Sequence, residues 1–193
     1  MSMKDLTASD WNRNRNKKNR RLFFLLAGTL LMTIVISIQG ASLTTPSTPK
    51  GILDLELAYN TVLANSVVTA WTATSSIDNV FRAKMNTCID FAYLFFYSLF
   101  FFHACKLLAA SFSGFFAITG HFLATGALAA GILDILENTG MLLTLTGHLS
   151  KYTTLLTFIF SISKWALVIT IILYIALLAP LLIVRKIKKV SPN

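Results

Sequence analysis

Residues 115–138 read FFAITGHFLATGALAAGILDILEN. An apolar stretch of this length matches the roughly 20 residues a helix needs to cross the hydrocarbon core of a bilayer. Its end, Asp134-Ile-Leu-Glu137-Asn138, brings in three polar side chains at positions i, i+3 and i+4, which share one helical face. The same face continues back through Gly131, Ala130 and Ala127, small residues that let a neighbouring helix approach closely. A carboxylate pair turned toward lipid would be very unfavourable, so this face is expected to point into a bundle or a wet cavity. The expected fold class is therefore all-α, an integral membrane bundle.

The rest of the chain supplies the neighbours. Four stretches are long and apolar enough to span, at about 22–39, 90–108, 113–136 (extendable to 146) and 157–184. The second is dense in Phe and Tyr, and Pro180 lies in the last turns of the fourth, where a kink is tolerable. The first could be mistaken for a signal peptide, but Ile38–Ser42 offers no good small-x-small cleavage site, so a retained anchor is expected. Between the first and second spans, Thr44–Lys50 (TTPSTPK) is a polar turn with two prolines. An outer helical segment over 51–86 follows: a helix over Gly51–Trp71 lying on the membrane, and a second starting near Ser76 and running into the second span. The organisation is thus a basic segment 1–21, a four-helix domain 22–184 and a basic tail 185–193.

Composition agrees. The 193 residues are 55% hydrophobic and only 13% charged, about half the charged fraction of a soluble domain. An ordinary soluble enzyme, a disordered tail and a small disulfide scaffold are excluded. The net charge of +9 sits entirely at the two ends: Lys4, Arg13, Arg15, Lys17, Lys18, Arg20 and Arg21 against Asp5 and Asp10, and then Arg185, Lys186, Lys188 and Lys189. Basic clusters abutting apolar spans are the pattern of cytoplasmic flanks, and an even number of spans puts both termini on that side. They also suit anionic lipid head groups. No nucleic-acid partner is expected, since Asn12–Arg21 has only Trp11 as a neighbouring aromatic and no recognisable module.

Several chemistries have no footing. Cys88 and Cys105 lie on one expected helix, about 25 Å apart, too far for a bridge. His103, His121 and His148 belong to no ligand pair, and no catalytic or phosphate-binding motif appears. No metal and no cofactor are expected. Folding the second span on the third near Ala110–Ser113 should bring His103 opposite His121, as an interhelical contact. No internal repeat supports an inverted-repeat transporter.

Antiparallel registration gathers the polar residues. A turn near His148–Ser150 puts Asp134 opposite Lys164, followed by Trp165, with Ser161 and Thr157 on the same face. The turn between the second and third spans puts Asp134 opposite about 89, next to Asp90. The second helix carries a stripe of Arg82, Asn86, Asp90, Tyr93 and Tyr97, and Asp54 and Glu56 add carboxylates from above. Counted outward from the basic boundaries, these groups share a depth near the outer leaflet, with residues 139–153 as a partly apolar cap. One site is expected from Asp90, Asp134, Glu137, Asn138 and Lys164, lined by Glu56, Tyr93, Tyr97, Arg82 and Trp165.

Leu55–Ala58 (LELA), Trp71, Asp90–Tyr93 (DFAY) with Tyr97, Asp134–Asn138 (DILEN) and Lys164 together resemble a group of bacterial four-helix integral membrane proteins with a D-x-x-E-N motif. The resemblance covers residues 52–165. It implies the topology, the choice of site residues and a bacterial cytoplasmic (inner) membrane, and carries no activity.

Two readings of the polar cluster stand side by side: a network that fixes helix register, and a functional site. The leading functional expectation is a non-catalytic membrane component that binds partner proteins, further copies of itself or lipid. The alternatives are a membrane-embedded enzyme acting on a lipid at the outer leaflet, with Asp134, Glu137 and Lys164 as catalytic candidates, and a proton- or cation-coupled transport component.

Overall fold

The computed structural model describes residues 3–73 and 78–190, with side chains described over 16–73, 78–185 and at 187. The expected helix start near Ser76 lies outside the described residues, as do the side chains of Lys4, Asp5, Asp10, Trp11, Arg13, Arg15, Lys186, Lys188 and Lys189. The described residues form six α-helices: α1 Met3–Gly40, α2 Ile52–Glu56, α3 Thr61–Thr72, α4 Asn79–Ala109, α5 Phe115–Leu145 and α6 Lys151–Val190. There is no β-strand among the described residues. Four of the helices are long and apolar enough to cross a membrane, within Asn16–Leu43, Asn79–Ala109, Phe115–Leu145 and Lys151–Arg185.

Local chemistry sets the helix ends. The Asp78 carboxylate accepts from Phe81 N at 2.8 Å and caps α4, the Asn60 side chain does the same for α3 through Leu63 N at 2.9 Å, and Ser150 Oγ receives Thr153 N at 3.1 Å at the start of α6. At the far end of α5, Gly147 takes a positive φ of 92°, and the amides of His148 and Gly147 return to the carbonyls of Leu143 and Thr144. That closure ends α5 cleanly and lets α6 begin four residues later.

The long helices pack as a row. α5 lies between α4 and α6, and α1 packs chiefly on α4. Close approach is enforced by small residues. A Cβ on Gly131 would stand 3.1 Å from the Cβ of Ser98 on α4, and Gly120 leaves room for Tyr174 of α6 and Ala109 of α4. Tyr174 then donates to the Phe116 carbonyl at 2.9 Å. One apolar core lies at this end, around Cys105, Leu108, Leu123, Ile171 and Leu178.

A second core lies at the other end, beneath a cap. Leu43, Leu55, Val67 and Trp71 close over Met141 and Leu145 at the tip of α5. The Thr44–Lys50 segment is a tight turn in which Thr45 and Thr48 exchange both backbone hydrogen bonds at 3.1 Å. Trp71, fully buried, donates its indole N–H to Leu43 O at 3.0 Å and Thr48 Oγ at 3.2 Å. The cap is thus hung on the end of α1.

The helix expected over Gly51–Trp71 is two helices, broken at 57–60 where Asn60 caps the second. Residues 139–153 form the helical tip of the α5–α6 hairpin, with only 146–150 outside the helices, and Met141 and Leu145 join the apolar cap core. His103 and His121 do not meet. Ala109 faces Gly120, which turns the next residue, His121, outward to an exposed position, and His103 packs edge-on against Phe102 instead.

Candidate functional site

Lys164 is the centre of the site. It lies on α6 opposite Asp134, as the short 146–150 connection dictates, and its Nζ donates to Asp134 Oδ1 at 3.0 Å. The same ammonium stands 2.8 Å from Glu137 Oε2 and 3.8 Å from Glu56 Oε2. Asp134 and Glu137 come from one face of α5, whereas Glu56 arrives from α2 in the cap. Within LDLE, alternate acids part: Asp54 turns back to accept from Lys50 N at 2.8 Å, and Glu56 turns inward.

Each acid has a different second partner. Asp134 Oδ2 accepts from Tyr97 OH at 2.7 Å, and Tyr93 packs on the Tyr97 ring with centroids 5.1 Å apart. Glu56 Oε2 accepts from the Trp165 indole at 3.4 Å, and Lys164 also lies over that indole ring at 5.4 Å. Asn138 Nδ2 donates to Asp90 Oδ2 at 2.7 Å. Glu137 differs from these acids. Its Oε2 makes the shortest ion pair of the site, 2.8 Å from Lys164 Nζ, while its Oε1 has no hydrogen-bond partner, although the residue is 0% exposed.

The electrostatics are lopsided. Asp134 is 2% and Lys164 7% exposed, so bulk water screens little of the interaction. Glu56, Asp134 and Glu137 share one ammonium, a formal charge of −2 when all are ionised. Asp90, linked through Asn138, adds a further negative charge nearby. Desolvating charges in such excess is costly unless something else neutralises them. Among the described residues no group of three or more His, Cys, Asp or Glu is arranged to hold a metal ion.

The structure brings together nine of the expected residues: Glu56, Asp90, Tyr93, Tyr97, Asp134, Glu137, Asn138, Lys164 and Trp165. Arg82 stays apart, two turns along α4 from Asp90, and its carbonyl accepts from Gln39 Nε2 at 2.9 Å instead. The register of α4 against α5 also differs from expectation. Asp90 meets Asn138 and Tyr97 meets Asp134, a shift of more than one turn, because the helices rejoin only after Gly114, at φ 61°. Gln39 was not singled out from sequence. It accepts from Asn86 Nδ2 at 2.7 Å and ties α1 to α4, and a polar residue at the end of an apolar run was its signal.

No family model, curated protein or solved structure matches the chain. Its chemistry has to be read from the side chains themselves.

Proposed function

We propose that this is a small polytopic protein of a bacterial cytoplasmic membrane, with both basic termini on the cytoplasmic side, acting as a non-catalytic component that binds lipid or partner protein along its exterior. The resemblance to the D-x-x-E-N group of four-helix membrane proteins fits this reading. The observation that carries it is the uncovered apolar surface of the flanking helices. On α1, Phe23, Phe24, Leu31 and Ile38 are 61–73% exposed, and α6 leaves Leu173 and Leu177 open in the same way. Such a surface exceeds what a water-soluble monomer presents, and calls for lipid or another protein. Lys17, Arg20 and Arg21 stand directly beside Phe23 and Phe24, a pairing suited to an anionic head group above acyl chains. The buried acid–lysine site holds the helices in register beneath the cap.

The test is photo-crosslinking in intact membranes from positions 31 and 173. Lipid adducts or a discrete protein adduct are expected at both, with the protein retained in the membrane after alkaline washing. Recovery in the soluble fraction would overturn the proposal. So would an adduct pattern abolished by Glu137→Gln in a protein that still folds and accumulates, which would move the activity to the buried site.

A further inference from the structure

Two buried polar groups without a hydrogen-bond partner lie at matching positions of α5 and α6. Asp134 meets Lys164, and a Cβ on Gly140 would strike Thr157, so the α5–α6 register between these two contacts puts position 137 opposite position 161. Both residues are 0% exposed. Neither Glu137 carboxylate oxygen nor Ser161 Oγ has a hydrogen-bond partner. The neighbouring threonines of α6 differ: Thr154 and Thr157 return their hydroxyls to carbonyls one turn back, at 3.1 and 2.8 Å. The Lys164 ammonium offsets the charge at Glu137 Oε2, but Glu137 Oε1 and the Ser161 hydroxyl on the apposed helix are left without a directional partner, an unmet desolvation cost.

The charges around them have one sign in excess. Facing Glu137 are Glu56 from α2, Asp134 from its own helix and Lys164 from α6, with Asp90 and Tyr97 of α4 one layer away. Lys164 is shared between Asp134 at 3.0 Å and Glu137 at 2.8 Å, so one ammonium serves more than one carboxylate. We propose that Glu137 and Ser161 form a binding site for one exchangeable positive charge, either a proton or a monovalent metal ion. A proton on Glu137 turns one of its oxygens into a donor, with the Ser161 oxygen as the unpaired acceptor. A monovalent ion takes both groups as oxygen ligands. A divalent ion is disfavoured because, among the described residues, no group of three or more acids, histidines or cysteines is arranged to hold one. The site is interior, so it stands or falls independently of what binds the exterior.

The experiment uses the full chain in lipid nanodiscs, with wild type, Glu137→Gln and Ser161→Ala. Ser161→Ala removes a hydroxyl that bonds to nothing else, so it keeps the fold even where Glu137→Gln does not. The first measurement is the carboxylic C=O stretch in the infrared. A bound proton gives a band in the wild type that is absent in Glu137→Gln and displaced in Ser161→Ala. The second is thermal stability in NaCl or KCl against choline chloride at equal ionic strength. A bound metal ion gives an alkali-specific stabilisation whose half-saturating concentration rises about tenfold in Ser161→Ala, the loss of roughly one hydrogen-bond-sized contact. If Ser161→Ala leaves the band in place and the salt response unchanged, the proposal is overturned.

Discussion

Replacing Lys164 by Met keeps an unbranched apolar stem and removes only the ammonium. The charge it deletes is the one shared by Asp134 at 3.0 Å, Glu137 at 2.8 Å and Glu56 at 3.8 Å. Removing one partner of a buried ion pair costs about 3–5 kcal/mol, because the partner left behind is stranded away from water. Here the stranded groups are three, and with Asp134 2% and Glu137 0% exposed, solvent offers little compensation. For a chain of this size about 1 kcal/mol moves Tm by 2–4 °C, so Lys164→Met should lower Tm by roughly 6–20 °C. Trp165, whose ring lies 5.4 Å from the ammonium, supplies a local fluorescence signal for the melt in detergent or nanodiscs. Adding Asp134→Asn to Lys164→Met removes one stranded charge, so the double variant should melt above Lys164→Met alone. A single variant within about 2 °C of wild type, or a double variant whose losses simply add, would refute the idea that these side chains act as one buried unit.

Three further outcomes are expected. Trp71→Phe leaves a smaller aromatic ring in the cap core and drops the donor to Leu43 O and Thr48 Oγ, and should cost about 1–3 kcal/mol, with faster hydrogen exchange over residues 43–58. Gly131→Leu forces a side chain into the Ser98 contact between α4 and α5, and should destabilise by about 1–3 kcal/mol in a thermal melt, whereas the same change at exposed Gly114 leaves that contact alone and acts only through its positive φ. Asp90→Asn preserves an acceptor for Asn138 and should stay within about 1 kcal/mol of wild type, while Asp90→Leu orphans the amide and should cost about 1–3 kcal/mol, measured side by side in the same melts.

How much of this was legible in the sequence depends on what each contact is made of. The α5–α6 pairing was readable because the turn is short and the groups are rare: Lys164 is the one basic residue between Tyr152 and Val184, and Asp134 and Glu137 are the acids in reach. The α4–α5 pairing was readable only to within one to two turns. Phe112 and Gly114 let the chain travel before α5 starts, and a displacement of a few residues exchanges Asp90's partner from Asp134 to Asn138. The His103–His121 contact failed for the same reason: a small change in helix phase turns His121 outward. The cap was the least legible part. Trp71 is held by a main-chain carbonyl, and carbonyls leave no trace in residue type. Glu56 was readable as a candidate but not its partition from Asp54, which follows from the turn at Gly51, with φ 61°.

The separation of Lys164 from its acids along the chain has a consequence for assembly. Asp134 precedes its cation by 30 residues, so α5 is synthesised with its two buried carboxylates before any countercharge for them exists. For a chain threaded into a bilayer one helix at a time, α5 alone would carry that charge into hydrocarbon. On the proposed membrane placement, the two helices are better delivered together, as a hairpin already closed at Gly147, with the ion pairs formed before lipid is met. The tyrosine and asparagine contacts from α4 can then lock onto a neutralised surface. The order of making the protein is in this way written into the distance between its charges.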